Sequence, residues 1–353
     1  MPARLYRHPL LLVVLSVLAT LLLCGVVGLV WLKEQSPTRY EALLRAARQA
    51  PRVLKRSLRA LPTEVPVLQL HIKHLHIQDL EYQRQLALQS RHHQAFEYVP
   101  AQFNWKGQRL KAKIRLKGDR LIHFQGEDQW SFRVHLRDGQ LLAGMRSFSL
   151  HKSGARNHLY EWVFHEMLSR EGFIALKYEF LRLYVNGVDW GIYALEEHFD
   201  KLLVERYGYR EGPIVRLDES LGESDLHKSV ARPFKAAKWT TADKLPLVQQ
   251  AVDLLEGFRR GHLKVSEVFD TEKMATFFAL NDLMGTHHAS VWKSLRFYYN
   301  PITSRLEPIG FDGHLDTHKG LGNRMFLAAE ASTSEQTGWW YKLFDDWFHL
   351  LFA

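Results

Sequence analysis

The chain has 353 residues, of which 46% are apolar and 12% aromatic. That is enough to bury a large core and excludes a disordered protein. The formal net charge is +9, but residues 1–60 carry ten Lys/Arg against two Asp/Glu, leaving 37 against 36 in the rest. The basicity is therefore local to the N-terminus, which removes the main support for a nucleic-acid partner.

Residues 10–32 form a run without a charged side chain, preceded by Arg4 and Arg7 and followed by Lys33. About 20 residues suffice to cross a bilayer, and a cleaved signal peptide would have a shorter apolar run ending at small residues. The run reads as a transmembrane signal anchor whose partners are membrane lipids. Residues 1–9 read as a cytoplasmic tail, 33–62 as a basic linker and 63–353 as the main domain. Arg4 and Arg7 favour an inside N-terminus, whereas Arg39, Arg45 and Arg48 oppose it. Cys24, the sole cysteine, lies inside the run, so no disulfide is intended, and a thiol-free domain suits an extracytoplasmic location. In residues 37–60, Leu43, Leu44, Ala47, Val53, Leu54 and Leu58 among seven Lys/Arg suggest a basic helical stalk broken at Pro51.

From Val67 the pattern is strand-rich, and the histidines His71, His74, His76, His92 and His93 read as strand or surface side chains. Leu110, Ala112, Ile114 and Leu116 alternate with Lys111, Lys113, Arg115 and Lys117, a half-buried strand with one cationic face. Further strands are predicted at 132–136 and 145–151, and a helix over 156–171 from Leu159, Val163, Met167 and Leu168. Residues 180–197 form a hairpin around Asn186-Gly187. Helices follow at 198–207, 241–260 and 271–284. Strands precede helices, which gives an α+β fold.

Residues 286–318 concentrate the chemistry. A polar loop with His287, His288, Lys293 and Ser294 precedes a hairpin at 295–299 and 305–311. Then come Asp312, His314, Asp316 and His318, which would share one face if extended. Burying carboxylates and imidazoles together is costly without a purpose such as metal binding. Alternating Asp and His also suits a transition-metal hydrolase. No phosphate-binding GxxxxGK[ST] loop, GxGxxG fingerprint or GxSxG elbow is present. Residues 339–353 stay amphipathic and apolar to the end, an expectation that the chain continues beyond them.

Several segments in order carry a family resemblance. They are Ile114-Arg-Leu-Lys-Gly-Asp119, Ser131-Phe-Arg-Val-His-Leu136, Lys152-Ser-Gly-Ala-Arg-Asn157, Leu183-Tyr-Val-Asn-Gly187, Gly191-Ile-Tyr-Ala-Leu-Glu-Glu-His-Phe-Asp-Lys201 and Glu307-Pro-Ile-Gly-Phe-Asp312. Together the chain resembles the CotH kinase-like family over about residues 67–350. The resemblance implies an atypical protein-kinase-like fold and transfer of phosphate from ATP, with Mg²⁺ or Mn²⁺, to a hydroxyl of a protein or envelope glycan. Kinases order a catalytic loop, a hairpin and a metal-binding Asp in this way. Asp312, with His314 and Asp316, would hold the metal. Glu197 would orient Arg115 or Lys117, with Arg133 and Arg156 as further phosphate contacts. His288 or Asp282 would accept the proton. The chain departs from the family in several places: His288 stands for a catalytic Asp, Lys293-Ser294 for a metal-binding Asn and His314 for a carboxylate, and no Lys aligns at Asp128-Gln-Trp130, so Arg115, Lys117 or Arg133 would substitute. Those departures also fit a non-catalytic scaffold in cell-envelope assembly.

Overall fold

The computed structural model describes residues 64–89, 96–118, 121–218 and 226–315, with residues 28–31, 33–36, 40, 347, 350 and 351. The chain divides into two units between Glu64 and Val65. In the first, residues 28–31 and 33–35 are helical, and Tyr40 donates its backbone N–H to Ser36 at 3.1 Å. The predicted tail, most of the predicted span and most of the linker lie outside the described residues. Among the described residues no helix is long and apolar enough to cross a membrane.

The second unit is mixed α+β. Its first half is a closed seven-stranded barrel. The strands are β1 (Val67–His71), β2 (Val99–Trp105), β3 (Gln108–Leu116), β4 (Phe132–Leu136), β5 (Ser147–Lys152), β6 (Tyr178–Val185) and β7 (Val188–Glu197). They run in the order β1-β2-β3-β4-β5-β7-β6, and a parallel β1–β6 pairing closes the ring. Strand alternation explains the interior. Ile114, Leu116, Phe132, Val134, Leu150, Leu183 and Leu195 turn inward and are almost wholly buried, each contributing roughly 1.5–3 kcal/mol.

The Asn186-Gly187 turn has φ of 49° and 84°, the left-handed pair that a two-residue hairpin loop needs. Asn186 also accepts from Ile72 N and donates to Ile72 O, both at 2.8 Å, tying the hairpin to the end of β1.

The strand-rich reading missed helix α1 (His74–Gln89), which His74 opens. Only Leu80, Arg84 and Ala87 of it are buried, so its apolar period is faint. Arg84 stands at an inward position because its guanidinium donates to the Phe124 carbonyl at 2.6 Å and lies over Trp130.

Helix α2 (Tyr160–Arg170) lies between β5 and β6 in sequence, and α3 (Lys201–Arg206) follows β7 with Asp200 as its side-chain cap. The second half is a four-stranded antiparallel sheet in the order β11-β10-β8-β9. It contains β8 (Ile214–Asp218), β9 (Val230–Pro233), β10 (Arg296–Asn300) and β11 (Arg305–Ile309). With it pack α4 (Leu245–Arg259), the single-turn α5 (Val265–Val268) and α6 (Thr271–Met284). Phe258, Phe269 and Phe297 centre that core, and the indole of Trp347 closes on them at 5.1–6.4 Å. The predicted hairpin is β10–β11, and α6 covers the predicted 271–284, capped by Asp270 and ended by left-handed Gly285.

Candidate functional site

The strands that fill the barrel with apolar side chains carry a polar row on their outer face. Register places Arg115 beside Arg133, Arg133 beside Ser149, Ser149 beside Glu196 and Glu196 beside Tyr178. One residue beyond β3, Lys117 donates its backbone N–H to the Ser131 carbonyl. Its ammonium meets Glu196 Oε2 at 2.5 Å, with Lys117 7% and Glu196 0% exposed. His151 Nε2 stands 4.0 Å from the same oxygen.

A second cluster faces this row from α2 and the loops after α6 and β11. The 3-10 turn Ser153–Arg156 brings Arg156 to the head of α2. Its guanidinium pairs with Asp312 on one side and lies 3.3 Å from Glu161 on the other. His288 Nε2 is 2.6 Å from Asp312 Oδ2, and His314 Nδ1 is 3.6 Å from Oδ1. Arg156 also contacts His314 Nδ1 at 3.0 Å.

Asp312 adopts a φ of 61°, a left-handed conformation that Asp tolerates better than most residues. Its neighbours let the loop press on α2. A Cβ at Gly310 would stand 2.1 Å from Leu168, and one at Gly313 2.1 Å from Phe164. The expected extended alternation from Asp312 onward is therefore broken at its first residue.

Burial and charge set the protonation of these groups. Burial alone would raise Glu196, but Lys117, then His151, Arg156 and Arg133, outweigh it and hold the carboxyl well below its usual range. Asp312 is likewise held low against its burial, by Arg156 and then His288. Glu161 loses this competition: burial pushes it up to about 8, and Arg156 offsets that only in part. Burial drives His165 down to about 4 and His123 down to about 3, and His151 well below its ordinary value. These imidazoles are neutral at pH 7.

Several buried polar atoms of this region have no hydrogen-bond partner within the described residues. They include Ser149 Oγ, both ring nitrogens of His151 and His165, Tyr178 OH, Glu196 Oε1 and Arg133 Nη1. Enclosed polar atoms are normally paired, and these cluster around the outer row of the barrel and the buried side of α2.

Of the residues expected at the site, Lys117, Arg156, Asp312, His288 and His314 come together, and Arg133 lies on the same outer row. Arg115 is on that row too, but its guanidinium donates to the Leu116 carbonyl and lies over Tyr98. Glu197 is not the partner of Lys117. It follows Glu196 on β7 and so points to the opposite face, pairing with Arg206 at 2.6 Å and accepting from Lys177 N. Asp282, near the end of α6, lies 3.9 Å from His287 Nε2. Asp316 and His318 lie outside the described residues. Sequence reasoning points to the Glu196-Glu197 pair but selects Glu197, and it misses Glu161, His151 and His165. The spacing Glu161–His165, one helical turn apart, was the available signal for two of them.

The described residues do not fit Mg²⁺ or Mn²⁺. Such hard cations take mostly oxygen ligands, and beside Asp312 stand two imidazoles and a guanidinium. No group of three or more His, Cys, Asp or Glu among the described residues could hold a metal ion.

A family model, described as CotH kinase protein, matches residues 114–346. No curated protein matches the sequence. The matched segment takes in Lys117, Arg156, Glu196, His288 and Asp312.

Proposed function

This chain belongs to the CotH kinase protein family, and from that premise we propose that it is a kinase-like phosphotransferase. The observation that carries the reading is the buried Lys117–Glu196 pair on the barrel sheet, in one site with Asp312 at the end of the β10–β11 hairpin. A lysine fixed by a carboxylate, and an Asp following a loop and a hairpin, are the parts by which kinases position a phosphate donor. On this reading the barrel and the helix-backed sheet act as the two halves of an atypical kinase-like fold.

Each side chain then has a task. Glu196 holds the Lys117 ammonium in place, and Lys117 with Arg133 meets the negative charge of the donor, for which ATP is the natural candidate. Asp312 accepts from His288 Nε2 at 2.6 Å, which fixes the imidazole and directs its basic lone pair to Nδ1. The acceptor hydroxyl attacks the terminal phosphorus, the bond to the leaving diphosphate breaks, and the hydroxyl proton passes to His288. The acceptor is a hydroxyl of an envelope protein or glycan. Residues 10–32 would anchor the enzyme in the cytoplasmic membrane, with the main domain outside.

The test is ATP binding and transfer of labelled phosphate to an envelope fraction by the purified full chain. Lys117→Met is expected to weaken ATP binding at least about tenfold, roughly 1.4 kcal/mol. His288→Asn should keep binding and lower transfer by about 10²–10⁴. If wild type binds ATP without transferring phosphate to any acceptor, and His288→Asn still complements a deletion strain, the chain is a non-catalytic scaffold. The histidine at 288 gives that second reading its footing.

A further inference from the structure

We infer that the phosphate-bearing ligand of this site is bound without a divalent cation, the charge beside Asp312 being supplied by Arg156. The inference rests on the phosphotransferase reading and goes beyond it, because it removes the metal that kinase chemistry ordinarily uses.

Three observations carry it. The first is the state of Asp312, the only carboxylate the described residues bring to this loop: Oδ1 faces the Arg156 guanidinium and Oδ2 lies 2.6 Å from His288 Nε2. An ion such as Mg²⁺, which needs near-octahedral oxygen coordination, would have to displace both.

The second is how Arg156 is held. It is 9% exposed, lies 3.3 Å from Glu161 and contacts His314 Nδ1 at 3.0 Å. Asp312 raises its already high pKa despite burial, with Glu161 next. Arginine cannot leave such a place by losing its proton, and the Asp312 carboxylate opposes its leaving with the charge intact, with the carboxyl of Glu161 on the other side. The guanidinium is thus a fixed +1 at the head of α2.

The third is the neighbourhood. Lys117 and Arg133 face Glu196 on the adjoining barrel row, so three cations stand among Glu196, Asp312 and the largely protonated Glu161. The surplus is positive. Beside it are buried donors with no partner among the described residues: Arg133 Nη1, Ser149 Oγ and Tyr178 OH. Cations and neutral N–H and O–H donors, without a cage of oxygens, are what phosphate oxygens require.

The experiment titrates ATP into the purified full chain in EDTA, and again with excess Mg²⁺ or Mn²⁺, by calorimetry. Dissociation constants agreeing within about twofold support the inference. Binding seen only with the metal, or tightened tenfold or more by it, overturns the inference while leaving the phosphotransferase reading intact. No ATP binding under any condition overturns both. Arg156→Gln supplies a second readout, checked for folding by circular dichroism. The expected result is at least tenfold weaker binding in EDTA, partly restored by Mn²⁺ now that Asp312 is released. An Arg156→Gln protein that binds in EDTA like wild type would overturn the role given to Arg156. Arg156→Lys, which keeps the charge, should stay within a few-fold of wild type. Loss of EDTA binding in a folded Arg156→Lys protein would also overturn that role.

Discussion

The inside and the outside of the barrel are made by the same strands, with side chains one residue apart. Leu116 precedes Lys117, Leu150 precedes His151 and Leu195 precedes Glu196, and all six are at least nine-tenths buried. The inward set belongs to one buried apolar cluster. The outward set holds paired charges and enclosed polar atoms that the described residues leave without partners. Burial alone therefore does not distinguish a core from a site. What distinguishes them is whether the buried groups satisfy one another.

The sharpest way to break this comparison is to remove one residue from each side. Lys117→Met removes the nearest countercharge of the buried Glu196 and should cost about 3–5 kcal/mol in urea unfolding, with ATP binding weakened at least about tenfold. Adding Glu196→Leu should restore most of the stability and none of the binding. Leu150→Ala, facing inward, should cost about 2–5 kcal/mol while the folded fraction still binds ATP. Recovery of binding in the double variant, or its loss in Leu150→Ala, would erase the distinction.

A smaller effect comes from pH. His165 is buried, and burial lowers it to about 4, against roughly 6.5 unfolded. A group with a depressed folded pKa stabilises above its unfolded value, and that stability is lost as pH falls through the folded value. His165 should thus contribute about 3 kcal/mol at pH 7 that disappears between pH 6.5 and 4, at about 1.4 kcal/mol per unit. Glu161, raised to about 8, works in the opposite sense: its contribution is present at low pH and lost as pH rises through 8. Comparing the pH slope of wild type with that of His165→Phe isolates the part of the slope that depends on His165, its 3.9 Å approach to Glu161 included. The phenyl ring keeps the stacking on Tyr178, whose ring lies 5.7 Å away. Equal slopes in the two proteins would show that His165 is not held neutral.

The smallest effect is expected at an ion pair of the open surface. Arg182 and Asp189 meet at 2.5 Å but are 50% and 33% exposed. Water screens them, so Arg182→Ala should leave the urea-unfolding midpoint essentially unchanged. A large loss there would mean that contact distance, not enclosure, governs the charged pairs of this protein.

Much of this was legible in the chain itself. Alternation at Leu110–Leu116 pointed to β3 and its cationic face, Asn186-Gly187 to the β6–β7 turn, and the strand–turn–strand pattern at 295–311 to β10–β11. Helix α1 escaped because an arginine occupies one of its few inward positions. Glu196 and Glu197 are not told apart by the sequence, because two adjacent carboxylates at a strand end are chemically alike and only the pleat assigns them to opposite faces.

The charge pairings themselves could not be read from the sequence. Lys117 finds Glu196 across 79 positions, and Arg156 pairs with Asp312 from a distant part of the chain. Local pattern fixes which face of a strand or helix is apolar, since that depends on neighbours two to four residues away. Which cation meets which carboxylate depends on barrel closure and on the Asp312 loop pressing against α2. So the sequence determined the elements, the apolar faces and the kinds of side chain at the site. Only the tertiary structure decided that Asp312 is answered by Arg156, because that pairing exists only once two distant segments are packed with water excluded.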